Sequence, residues 1–279
     1  MISTAITYEE EIAAWRADAE ATLRADDGWL TLVGLHWLQP GTNTAGSAAT
    51  SDVPLPARAP ARLGELHFDG AGVTFAATAG VDVRVNGDRA ARAVLRDDPD
   101  GSPDIVRWDA ISFLIITRGG RTGVRVRDNA SPLRARFAGR VWFPVDTAFR
   151  FAARFVRYDP PKPLVITNIL GDTTTGASPG YAEFAYAGQT YRLDATAFGE
   201  RGLSFLFRDA TSGQETYGAA RVLTAPIPEG ERLTLDFNRA VNPPCAFTAF
   251  ATCPLPPGQN TLPFAVAAGE RYRPPEEQA

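Results

Sequence analysis

The sequence predicts a mainly β protein: an N-terminal α-helix followed by two all-β units, each a barrel or a sandwich. Three observations carry that expectation. From Gly64 onward, short runs alternate apolar and polar residues, as half-buried strands do. Clusters of Gly, Pro, Asn and Asp separate those runs at short intervals. After residue 30, no segment repeats its apolar residues at helical spacing. With 279 residues, 44% of them hydrophobic, the chain has enough material for one large or two ordinary domains.

Thr7 and Glu10 have the spacing of a capping box, which starts a helix over 8–25. Ile12, Trp15, Ala19, Thr22 and Leu23 form its apolar face. Asp26, Asp27 and Gly28 end it. Residues 29–38 are short and very apolar, and read as a buried strand or a strand-turn unit. Residues 42–51 read as a loop of small residues. Strands are expected at 66–68, 73–77 and 81–85, with Asn86-Gly87 as a hairpin turn. Residues 94–95 end the partner strand, and 97–104 form a polar turn. Residues 112–117 and 122–127 pair around Gly119-Gly120.

Residues 141–144 and 149–158 continue the β pattern. The run Asp159-Pro160-Pro161-Lys162-Pro163 reads as a linker, because proline removes a backbone donor and restrains its neighbour. This divides the chain into a helix and apolar segment over 1–50, a β unit over 51–158 and a second β unit over 164–273. The second unit is expected to hold strands at 164–169, 181–186, 190–193, 203–207, 219–223 and 231–237. Asn242-Pro243-Pro244 then breaks regular structure, and Pro254, Pro256 and Pro257 do so again. Residues 242–257 form a long irregular loop, and such loops in compact domains are usually functional. Residues 261–267 read as a returning edge strand, and Gly269 ends it.

The C-terminal order DFNRAVNPPCAF, CPLPP and LPFAV with the following AGE closely resembles a family known as domain of unknown function 1684. The N-terminal WRADAE and GWLTLVGLHWL runs and the central RGGRTGVRVRD run resemble it as well. The resemblance spans 8–271, and it departs from the usual motif at Val241, where an aromatic residue is expected. It implies a bacterial or archaeal protein of about this length, and supplies no catalytic mechanism.

Composition removes several function classes. The net charge is −4, so no basic field points to nucleic acid. No run of 18 apolar residues indicates a membrane span. The acidic N-terminus does not read as a signal peptide, so the expected location is the cytoplasm, where Cys245 and Cys253 stay reduced. No G-x-G-x-x-G after a strand, Walker loop, H-E-x-x-H or G-x-S-x-G occurs, and no cofactor is expected.

The remaining candidates gather at the C-terminal motif. Asp236 and Asn238 share strand parity and point to one face; with Arg239 and Asn242 they can orient a polar or anionic ligand. The alternative is an Asp236–Arg239 ion pair with both asparagines bonding turn backbone. Cys245 and Cys253 are a thiol pair: small buried hydrophobes by default, a disulfide or nucleophile otherwise. Their spacing suits zinc poorly, and the two histidines, His36 and His67, are distant, so no metal is expected. Tyr217 with Arg221 is a further ligand-binding pair, against a reading as hairpin aromatic and surface charge. His36, between Trp29 and Trp37, is the best general base, although a lone histidine in apolar company is more often core, and Trp29 is a ligand-binding candidate that with Trp37 can wall an apolar pocket. Arg118, Arg121, Arg125 and Arg127 read as a solvated strand face. The VRVNG segment carries a faint likeness to phosphopeptide-binding forkhead-associated domains.

The expected function is binding of a small, partly polar or anionic ligand under the 242–257 loop. Two alternatives stand beside it: a metal-independent hydrolase or isomerase with His36 or Asp236 as base, and a structural or protein-interaction module.

Overall fold

The computed structural model describes residues 6–98, 101–199 and 202–274. It is mainly β and forms two compact units. One comprises Leu23–Phe137 with Thr248–Ala251; the other comprises Met1–Thr22, Ala138–Phe247 and Thr252–Ala279. The expected boundary near residue 160 falls inside a strand that runs from Arg150 to Thr167. Pro160 and Pro161 are tolerated there because the strand's pairing register with its neighbour breaks between Arg157 and Lys162, while Pro163 lies within the ladder opposite Ala177.

The helix α1 spans Tyr8–Arg24. Thr7 and Glu10 form the capping box: the Thr7 N–H donates to Glu10 Oε2 at 2.8 Å and the Glu10 N–H to Thr7 Oγ1 at 3.3 Å. Acidic Glu9, Glu10 and Glu11 in the first turn and Arg24 in the last suit the helix dipole. Ile12 and Leu23 are buried as the apolar spacing implies, whereas Thr22 is exposed and its hydroxyl donates to the Asp18 carbonyl.

The Leu23–Phe137 unit is a sandwich of two sheets. Its strands are β1 (Leu32–Trp37), β2 (Gly41–Gly46), β3 (Val53–Pro54), β4 (Gly64–Phe68), β5 (Val73–Ala77), β6 (Arg84–Val85), β7 (Asp88–Arg89), β8 (Arg92–Leu95), β9 (Val106–Trp108), β10 (Ile111–Arg118) and β11 (Arg121–Asp128). One sheet has the order β1-β11-β10-β9-β6-β7, the other β3-β2-β4-β5-β8. Every ladder is antiparallel except β2 with β3. Leu66, Val73, Phe75 and Leu95 from one sheet meet Val106, Phe113, Ile115 and Val124 from the other in one core. Phe75 meets Phe113 edge-on across it, centroids 5.7 Å apart. Asn86 and Gly87 both take positive φ, 52° and 96°, as a two-residue hairpin turn requires. The expected small-residue loop over 42–51 instead contains β2, because its pairing with β4 outweighs weak local propensity. Pro99 and Asp100 of the expected 97–104 turn lie outside the described residues.

The other unit begins its β structure after the short helix α2 (Pro132–Arg136), which belongs to the sandwich. Its strands are β12 (Val141–Trp142), β13 (Arg150–Thr167), β14 (Thr173–Tyr186), β15 (Gln189–Asp194), β16 (Ala197–Gly199), β17 (Gly202–Phe207), β18 (Arg221–Ala225), β19 (Arg232–Asp236) and β20 (Glu270–Arg271). They form sheets ordered β15-β14-β13-β19, β16-β17-β18 and β12-β20. Phe151, Phe155, Phe184, Phe205, Phe207, Leu223, Leu235 and Phe237 share one core with Leu262 and Val266. The expected strand over 261–267 is irregular. Pro263 cannot donate to a ladder, so the segment ties in singly: Leu262 N–H donates to Arg208 O, and Ala210 N–H to Phe264 O.

Candidate functional site

The strand β19 ends at Asp236, and Phe237–Arg239 turns as a 3-10 helix capped by that carboxylate. Strand parity therefore stops one residue earlier than the sequence suggests. Asp236 and Asn238 still meet, but they are 7% and 0% exposed. Tyr8 donates its hydroxyl to Asp236 Oδ1 at 2.8 Å, and the Asn238 N–H donates to the same oxygen at 3.1 Å. Asn238 Nδ2 donates to Tyr8 Oη at 3.0 Å, the Asp146 carbonyl at 2.8 Å and Asp236 Oδ1 at 3.2 Å. Its Oδ1 accepts from the Asp146 N–H at 2.9 Å. Arg239 pairs with Glu11 and with Asp236, and lies over the Trp15 ring. Burial and the neighbouring Asp236 push the Tyr8 hydroxyl well above its ordinary range, so it stays a donor. This cluster is a closed polar knot that fixes α1 to the end of β19.

Asn242 lies in a second group. Its N–H donates to Glu270 Oε2 at 2.7 Å and its Nδ2 to the Arg271 carbonyl at 3.0 Å. Its Oδ1 is buried and, among the described residues, accepts no hydrogen bond. Glu270 is 1% exposed and paired with Arg140. Burial outweighs the pull of that guanidinium and of the Asn242 donors, and pushes the Glu270 carboxyl up to about 7. Arg140 also lies over the rings of Trp142 and Phe247.

The third group joins Tyr217, Cys245, Cys253 and Tyr272. Pro243 and Pro244 start the 3-10 turn Pro244–Ala246, which presents Cys245 half-buried. Its backbone N–H donates to Cys253 Sγ at 3.1 Å. Neither cysteine is held in a disulfide. Hydrogen bonds from the Cys253 thiol, first, and from the Tyr217 hydroxyl pull the Cys245 thiol down to about 7, although burial opposes them. Burial and the adjacent Cys245 raise Tyr217 in turn. Tyr217 meets Tyr272 edge-on, centroids 5.1 Å apart, and Tyr272 N–H donates to the Glu215 carbonyl.

The other sequence candidates separate from these groups. Arg221 is no surface charge: it is fully buried, pairs with Asp209 at 2.8 Å, and donates to the carbonyls of Val266 and Ala268. His36 and Trp29 belong to the sandwich unit, and Asp236 to the other. His36 is half-buried on β1 with Nε2 packed over Gly34, where a Cβ would approach to 2.7 Å. Burial pushes its imidazole down, so it is neutral at pH 7. Trp29 stacks under the Arg125 guanidinium at 5.4 Å. Arg125 is 6% exposed, so β11 is covered on both faces rather than presenting a solvated arginine row. Arg121 lies over Trp37 and Arg118 pairs with Asp98. Among the described residues no group of three or more His, Cys, Asp or Glu is placed to hold a metal ion. No described helix is long and apolar enough to cross a membrane.

Sequence reasoning missed Tyr8, Asp146, Arg140, Glu270 and Tyr272 as members of these groups. Only Glu270 had a signal, since it closes the C-terminal AGE run. The others join from up to 230 positions away, which no local pattern records.

The fold and its polar groups define an all-β protein of two units whose C-terminal motif is tied together by buried hydrogen bonds. The chain belongs to the family described as protein of unknown function (DUF1684), whose family model matches residues 135–271. An uncharacterised protein of Haloarcula marismortui, solved by NMR, is 33% identical over 50% of this chain and 78% of its own, with a TM-score of 0.41. Weaker partial likenesses reach the FHA domain of FhaA, solved with an intracellular domain: 22% identity, 33% of this chain, 86% of that chain, TM-score 0.24. Mycobacterium tuberculosis EmbR, in complex with a low-affinity phosphopeptide, matches at 14% identity over 43% of this chain and 30% of its own, TM-score 0.23. No curated protein matches the chain.

Proposed function

We propose that the chain binds a small, partly polar ligand beside the C-terminal motif, on the face that carries Asn242, Tyr217, Cys245 and Tyr272. The observation that carries this reading is the Asn242 carboxamide. Its nitrogen and its backbone N–H are both used, while its buried Oδ1 accepts nothing. An unpaired buried acceptor costs about 1–3 kcal/mol, which a ligand hydroxyl or amide N–H would recover. Tyr217 and Tyr272, both half-buried, supply aromatic walls for the ligand's apolar part. Asn238, Asp236 and Arg239 act on this reading as the frame, because the Asn238 amide is fully bonded and Arg239 is held by the carboxylates of Glu11 and Asp236. The protein is read as cytoplasmic and bacterial, where the resting state of Cys245 and Cys253 is the dithiol.

An enzyme using His36 or Asp236 as base is the weaker reading. Asp236 Oδ1 already accepts from Tyr8 and Asn238, and burial alone accounts for the neutral His36. A thermal-shift screen of the full chain against small hydroxy acids, amides and nucleosides tests the proposal. A member present at a hundred times its Kd stabilises by about 2.7 kcal/mol and raises Tm by several degrees. Asn242→Ala is expected to abolish that rise and Arg239→Ala to keep it. A panel that shifts nothing, or a shift that survives Asn242→Ala, overturns the reading.

A further inference from the structure

We propose that Cys245 and Cys253 form a reversible redox couple in which Cys245 is attacked first by a hydroperoxide and Cys253 then closes a disulfide. This goes beyond ligand binding and stands on the placement of the two sulfurs. The Cys245 backbone N–H lies 3.1 Å from Cys253 Sγ, so the two residues sit side by side. Disulfides bridge Cα atoms about 4.4–6.8 Å apart, and a sulfur in contact with its partner's own amide places the two residues at that scale of separation. The two residues also differ in access. Cys245 is half-buried, while Cys253 is 6% exposed, so a reagent from solvent meets Cys245 first. Pro243, Pro244, Pro254, Pro256 and Pro257 stiffen the backbone on both sides of the pair.

The surroundings favour thiolate chemistry at Cys245. Cys253 S–H and Tyr217 O–H both donate to it, which holds its thiol near neutrality. In the first step, the Cys245 thiolate attacks the distal oxygen of a hydroperoxide. An S–O bond forms, the O–O bond breaks, and the leaving alkoxide takes a proton from Tyr217 or water and departs as an alcohol. Cys245 becomes a sulfenic acid. In the second step, Cys253 loses its proton and attacks the Cys245 sulfur. The S–S bond forms, the S–O bond breaks, and the hydroxide leaves with that proton as water. Two thiols have lost two electrons and two protons to one hydroperoxide. A small dithiol returns the couple by exchange.

Intact-mass spectrometry of the full chain, treated with equimolar hydrogen peroxide and then denatured and alkylated with iodoacetamide, tests the couple. The expected product is a monomer about 2 Da lighter with neither thiol alkylated, since oxidation to a disulfide removes two hydrogens, and dithiothreitol restores both thiols. Cys253→Ser is expected to stop at a dimedone-trappable sulfenic acid. Cys245→Ser is expected to react at least 10-fold more slowly, and Tyr217→Phe several-fold more slowly with its pH midpoint moved up. The wild-type result tests the disulfide without any of the three variants, because these are the only cysteines in the chain, and the two cysteine variants test the order of attack. An unreacted chain, direct over-oxidation, or a disulfide between two chains would sink the proposal.

Discussion

Asn238 and Asn242 are four positions apart, both nearly inaccessible, and physically different. Every polar atom of the Asn238 amide has a partner, so it reads as a fastener. Asn242 leaves its oxygen unpaired, so it reads as a place where something else belongs. Glu270 is tied to the same group and has a pH signature. The folded protein holds its proton up to about pH 7, whereas the unfolded chain releases it near 4.5. The proton therefore stabilises the fold fully below the unfolded value, and that contribution is lost as pH rises through 7. Glu270→Gln, neutral throughout, lacks this slope. The Tm difference between wild type and Glu270→Gln is expected to move against wild type from pH 5 to pH 8. A difference that stays constant would mean Glu270 is charged throughout that range.

The C-terminal segment is held to β18 and to the turn after β19 by short-range backbone geometry as much as by side chains. Glu270 N–H donates to the Ala240 carbonyl, and Arg221 on β18 takes the carbonyls of Val266 and Ala268. Gly269 makes the approach feasible. Its φ is +79°, and a Cβ there would lie 2.5 Å from Ala240 O and 2.6 Å from Phe237 O. Gly269→Ala is expected to cost about 1–3 kcal/mol from backbone conformation alone, with the clash adding to it. Gly258 is the control, because a Cβ there meets nothing within 4 Å and its φ is not positive. Gly258→Ala is expected to be neutral or slightly stabilising, since it lowers the entropy of the unfolded chain. Urea melts of both variants check the pair; equal midpoints would show that the Gly269 contact yields easily.

At the scale of the molecule, the two units do not follow the chain in simple succession. The sandwich takes Leu23–Phe137 and borrows only Thr248–Ala251, while the second unit gathers three separated segments. A cut near residue 160 would sever β13, whose pairing with β14 and β19 builds the second unit's largest sheet. The fragment 164–279 is therefore expected to show no cooperative unfolding. The fragment 23–137 keeps both sheets of its sandwich and is expected to melt cooperatively. Circular dichroism melts of the two fragments check this. A cooperative 164–279 would place the folding boundary where the proline run suggested it.

The sequence by itself determined the β class, the capped N-terminal helix, the Asn86-Gly87 hairpin and the family motif. Each of these is written in a few neighbouring residues: a Thr7–Glu10 spacing, a pair that tolerates positive φ, an alternation of period two. Only the tertiary structure decided which motif residues are closed and which remain available. Tyr8 reaches Asp236 across 228 positions, Asp146 reaches Asn238 across 92, and Arg140 reaches Glu270 across 130. It also decided that 159–162 is strand and that 261–267 is not, because register and donor supply come from neighbouring strands of the sheet. Local propensity is a property of a few adjacent side chains, whereas the satisfaction of a buried polar group depends on partners that only the folded chain brings within 3 Å.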